Sequence, residues 1–94
     1  MLYYVLMGKY EKLLSKIVQG RTYKNIAFSD LRQLMLHLGF EERTRGSHHI
    51  FRKKEVEEKI NLQHDGNKAK SYQVKQVRSL ILKYKLGEKF DEQI

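Results

Sequence analysis

Histidine is the one side chain whose ordinary pKa, roughly 6.5, lets it take and release protons near neutral pH. His48 and His49 stand together in Gly46-Ser47-His48-His49-Ile50-Phe51-Arg52-Lys53, directly after a Gly-Ser turn. Arg43, Arg45, Arg52 and Lys53 surround the pair. Guanidinium and ammonium groups draw phosphates close. A proton-transferring histidine among such cations has the parts to hold RNA and to cut it without a metal ion.

The chemistry follows from those parts. A neutral histidine removes the proton of a 2′-OH. The freed oxygen attacks the adjacent phosphate and leaves a 2′,3′-cyclic phosphate and a 5′-OH. One positioned general base contributes roughly 10²–10⁴-fold. Charge on the phosphorane-like transition state needs cations or N–H donors, and Arg45, Arg52 and the Gly46-Ser47 backbone supply them. His64, His49 and Lys68 are the candidates for the general acid. DNA lacks the 2′-OH and is excluded as a substrate.

Strand geometry separates the two histidines. His48 and Phe51 are three apart, so on a regular strand they point to opposite faces. Phe51 is the better core residue. His48 therefore faces away from the core or sits exposed at the turn, and His49 points with Phe51. A bulge at the Gly-Ser turn would exchange them. Neighbouring strand residues diverge, so His48 and His49 do not pair on a metal. His64 could join one of them, but no carboxylate set completes a zinc site. No metal and no cofactor are expected.

These residues must be held by a small scaffold. Tyr10, Leu13, Leu14, Ile17 and Val18 form one face of an amphipathic helix, and Gly20 follows its end. Arg21 to Ala27 form a connector. Ser29 is the expected N-cap of a second helix, with Leu31, Leu34, Met35 and Leu38 inward and Gly39 closing it. Phe40–Arg45, His48–Lys53 and Glu57–His64 read as strands. In the third, Ile60, Leu62 and His64 share one face, while Lys59, Asn61 and Gln63 share the other. Asp65-Gly66-Asn67 ends it. A last helix runs from about Tyr72 to Tyr84, capped by Ser71 and terminated by Gly87, with Val74, Val77, Ile81 and Tyr84 as its buried stripe and Leu80 beside it. The fold class is α+β: a three-stranded antiparallel sheet with helices on one face, α-β-β-β-α, and one extra N-terminal helix.

Length and composition narrow the field. Ninety-four residues allow one domain with a modest core, stable by on the order of 5 kcal/mol. Without cysteine there is no disulfide framework and no thiolate chemistry. A net charge of +8 and a pI of about 9.8 favour polyanionic partners. Lys68, Lys70, Lys75 and Arg78 make a second basic cluster around the start of the last helix, suited to phosphates. Met1–Met7 is apolar but too short to span a bilayer, which takes roughly 20 residues, and it lacks the marks of a signal peptide. It is either a short strand or arm, or an extension ahead of a start at Met7. The second is preferred because Met7-Gly8-Lys9 is an ordinary start.

The Gly46-Ser47-His48-His49-Ile50-Phe51-Arg52 run resembles the signature of the HicA family, small toxin ribonucleases of toxin–antitoxin pairs. Phe28-Ser29-Asp30-Leu31 and Leu38-Gly39-Phe40 resemble the ends of that family's first helix. Ile60-Asn61-Leu62-Gln63-His64 resembles its last strand, and Gln73 to Leu82 its closing helix. The resemblance implies a HicA-like core over 28–87, an N-terminal extension over 1–27 and a tail over 88–94. It implies a double-stranded-RNA-binding-like fold, and it carries the catalytic role onto His48. It also implies an mRNA substrate, growth arrest, a HicB-type antitoxin covering His48, a cytoplasmic location and a monomer when free. The extra leading helix and the charged stretch Lys53–Lys59 depart from the family pattern. A second reading is a non-catalytic RNA-binding module on the same fold. A third is a protein-interaction domain using the apolar N-terminal segment.

Overall fold

A computed structural model describes residues 8–87, so the expectations for Met1–Met7 and for the tail from Glu88 lie outside the described residues. Helix α1 is Lys9–Gln19 and helix α2 is Phe28–His37. Strands β1 (Glu41–Arg45), β2 (His48–Lys53) and β3 (Val56–Leu62) follow. A two-stranded ribbon, β4 (His64–Asp65) with β5 (Lys68–Ala69), precedes helix α3 (Ser71–Tyr84). The architecture is α+β, as expected, with the ribbon as an addition. No helix among the described residues is long and apolar enough to cross a membrane.

The sheet is antiparallel in the order β1-β2-β3, with β2 central. Glu41 stands opposite Arg52, Arg43 opposite Ile50 and Arg45 opposite His48; Ile50 also stands opposite Asn61 on β3. Phe51 is fully buried between Glu42 and Ile60 and points with Leu62 into the helices. An irregularity between Phe51 and Lys53 absorbs the charged stretch, where Glu55 takes a left-handed conformation. The Gly-Ser turn carries no bulge, so the parity argument holds for β2. Glu58 fastens β3 to α3: Lys83, then the Tyr84 hydroxyl, pull its carboxyl down to about 2.

All three helices contribute to one core. Leu14 and Ile17 of α1, Leu31, Leu34 and Met35 of α2, and Val74, Val77, Leu80 and Ile81 of α3 are buried together with Phe51, Ile60 and Leu62. Arg78 Nε donates to the Val18 carbonyl at 3.1 Å and so satisfies an orphan acceptor at the end of α1. Gly20, left-handed at φ 68°, lies against that guanidinium.

Four local expectations are corrected. Ser29 does not cap α2. Ala27 is the N-cap and bridges to Lys68, and the Phe28 N–H donates to Asn67 O, so the ribbon does the work of a capping side chain. Ser71 is the first residue of α3 rather than its cap, a position held by Lys70. Lys85, left-handed at φ 53°, ends α3 in place of Gly87, which instead packs so close to Leu14 that a Cβ would collide. The third strand stops at Leu62, because the Gln63 N–H leaves the ladder and donates to Oε1 of buried Gln73 at 2.9 Å. His64 therefore belongs to the ribbon and does not share the Ile60–Leu62 face.

Candidate active site

One face of the sheet meets the helices, and the other is open. Alternation along β1 and β2 puts Arg43, Arg45, His48, Ile50 and Arg52 on the open face, with Asn61 beside them on β3. Arg43, Arg45 and Arg52 are exposed, and none makes a hydrogen bond or ion pair among the described residues. Their charges face solvent. Glu41 is the one acidic residue of β1 on that face.

His48 opens β2, exposed, directly after the turn. Gly46 holds φ 56°, and a Cβ there would meet nothing within 4 Å, so the turn presents bare backbone to solvent. Nδ1 of His48 lies 3.2 Å from Oδ1 of Asn61. An amide oxygen only accepts, so Nδ1 donates in this contact, and in a neutral ring the lone pair is then on Nε2. That is the form a general base needs. Ser47 Oγ accepts from Gln63 Nε2 at 3.5 Å, and Gln63 Oε1 accepts from Lys70 Nζ at 3.5 Å.

Asn61 and Gln63 carry no role in the sequence reading. The signal for them was the polar side of the third-strand alternation. Asn61 contacts the His48 ring; if His48 acts as a general base, Asn61→Ala is expected to lower cleavage about tenfold with little change in RNA affinity. Imidazole ¹⁵N shifts check it: the wild type should show one dominant tautomer and the variant a mixture. A wild-type cleavage rate and an unchanged ring spectrum would remove Asn61 from the site.

His49 has a different environment. Its side chain is 19% exposed and its Nδ1 lies 2.8 Å from Glu42 Oε2. Arg32 grips the same carboxylate from α2, with Nε 2.7 and 2.8 Å from its oxygens and Nη2 at 2.6 Å. The Arg32 bonds lower the Glu42 carboxyl from its ordinary value; burial opposes them and the His49 bond adds to them. The His49 and His64 rings both meet Phe28 edge-on, at 4.9 and 5.5 Å. Both lie on the helix side, so neither of these two general-acid candidates is brought to the face of His48, and the third, Lys68, lies on the ribbon.

The second basic cluster divides. Arg78 is withdrawn into the end of α1, and Lys68 sits on the ribbon opposite Asp65. Lys70 reaches toward Ser47 through Gln63, and Lys75 is exposed on α3.

Residues 28–84, well over half of the chain, match the family model described as the HicA toxin of bacterial toxin–antitoxin. The chain belongs to the HicA toxin family. The match begins at the first residue of α2 and ends at the last of α3, so the open sheet face and the Gly46-Ser47-His48 turn lie inside the HicA region. Helix α1 precedes it, yet shares the HicA core through Leu14 and Ile17. No curated protein and no solved structure matches the chain.

Proposed function

We propose that this HicA-family toxin is a metal-independent endoribonuclease acting on mRNA, with His48 as its general base. The observation that carries the reading is an exposed histidine held by Asn61, on an open face whose three arginines have no partner among the described residues. RNA lies along β1 and β2 with its phosphates against Arg45 and Arg52. Nε2 of His48 takes the 2′-OH proton, and the oxygen attacks the adjacent phosphorus as the P–O5′ bond breaks. The turn N–H groups and Arg45 stabilise the added charge. With no second histidine on this face, water protonates the leaving oxygen and turnover is slow.

A HicB-type antitoxin neutralises the toxin by covering His48 and the same arginines. An acidic partner surface suits them, because opposite fields speed and orient association. The alternative, an RNA-binding module without cleavage, would use the same face.

Purified protein incubated with RNA and excess EDTA tests the chemistry. The expected products end in a 2′,3′-cyclic phosphate and a 5′-OH, and an all-deoxy strand of the same sequence stays whole. Cleavage of the deoxy strand, or loss of activity with EDTA, overturns the mechanism. RNA that is bound and left intact selects the binding module.

A further inference from the structure

Where the connector, the ribbon and the start of α3 meet lies an open cleft of about 470 Å³, lined by Lys24, Asn25, Asp65, Lys70 and Tyr72, with Ala69 and Ser71 between them. We propose that this cleft holds a nucleotide of single-stranded RNA flanking the cleavage point, its base stacked on Tyr72 and its phosphate between Lys24 and Lys70. The ligand class rests on the ribonuclease reading; the site rests on three observations.

The first is Tyr72 itself. It is 57% exposed, although its ring is large and apolar. Its hydroxyl accepts from Gln73 Nε2 at 3.4 Å, which tethers one end of the ring while the face stays in water. Exposed aromatic faces flanked by cations are how proteins hold unpaired bases, since every base offers a π face.

The second is the placement of charge. Lys24 has no side-chain partner among the described residues, and Lys70 is engaged only by Gln63. Lys75 stands three residues after Tyr72, on the same exposed side of α3. Among the described residues Asp65 is the one acid on the cleft wall. A carboxylate repels phosphate but accepts from the N–H groups of a base edge. The lysines and Asp65 thus sort the two ends of a nucleotide.

The third is continuity. Lys70 bonds Gln63, Gln63 bonds Ser47, and Ser47 is the neighbour of His48. The cleft and the proposed catalytic turn share one polar strip. Lys24 and Asn25 come from the connector outside the HicA match. Asn25 is left-handed at φ 60°, which turns the connector at the cleft rim. The extension thereby completes a site that the HicA core alone leaves open on one side.

The test uses fluorescent single-stranded RNA carrying 2′-O-methyl groups, which cannot be cut, with binding followed by anisotropy over a range of salt. Unmodified RNA is followed for cleavage in parallel, and thermal melts confirm that each variant folds. Tyr72→Ala should bind about tenfold more weakly with an unchanged salt slope, and Tyr72→Phe within about twofold of wild type. Lys24→Ala should reduce the log–log salt slope by about 0.7. If the wild type binds and cuts while Tyr72→Ala binds equally well, the cleft is not the subsite and the ribonuclease reading survives. If Tyr72→Phe loses as much as Tyr72→Ala, the hydroxyl and not the stacked ring is responsible, and the proposal falls. Binding through Tyr72 without cleavage keeps the cleft and removes the ribonuclease. A wild type that does not bind RNA overturns both.

Discussion

Replacing His48 with alanine is expected to abolish RNA cleavage and the growth arrest that follows induction in a bacterial host, while the protein stays folded. The loss should be at least 10²–10⁴-fold, the contribution of one positioned general base. His48 is exposed, and its one side-chain hydrogen bond among the described residues is to Asn61, also exposed, so little packing is lost with it. RNA affinity should hardly change, because Arg43, Arg45 and Arg52 remain on the open face. His49→Ala is the paired comparison. It removes a half-buried ring from Glu42 and Phe28 and should lower the melting temperature while cleavage persists. The measurement is growth together with the integrity of one mRNA after induction. Cleavage by His48→Ala, or loss of cleavage only with His49→Ala, would transfer the base to the helix side and reverse the assignment.

Phe51→Ala is expected to destabilise the protein by about 3–5 kcal/mol, the usual cost of emptying a buried phenylalanine site. A domain of this size has on the order of 5 kcal/mol in all. The variant should therefore be substantially unfolded at 37 °C. Phe51 is fully buried at the centre of the central strand, between Glu42 and Ile60. Its burial also fixes strand parity, and a one-residue slip of β2 would turn His48 inward and His49 outward. Phe51→Leu keeps most of the volume and should retain both fold and cleavage. Urea denaturation of the two variants checks this. A Phe51→Ala midpoint near wild type would mean that β2 is not held by this contact.

Electrostatics divide the basic residues into two kinds. Arg32 and Arg78 are consumed by the fold, one on Glu42 and one on the Val18 carbonyl. Arg43, Arg45 and Arg52 are left unpaired among the described residues. Composition assigns all five the same charge, and only their partners separate structural cations from those available to a polyanion.

The local chemistry of the chain determined a good deal. The limits of β2, the inward stripes of the helices, and the opposite facing of His48 and Phe51 all follow from periods of two and 3.6 residues, which act over a few positions. The Gly46-Ser47 turn and the HicA resemblance followed from contiguous residues as well. Tertiary structure decided the rest. Asn61 meets His48 across thirteen residues of chain, and Arg78 reaches Val18 across sixty. The third strand ends where Gln73, on a distant helix, takes the Gln63 N–H. Ser29 gives up its capping role because the turn of the ribbon supplies Asn67 O to the start of α2. Tyr72 and Lys24 share a cleft only once the connector is folded against α3. In each case a polar group chose a partner that packing brought near, and the spacing of residues along the chain carries no record of that choice.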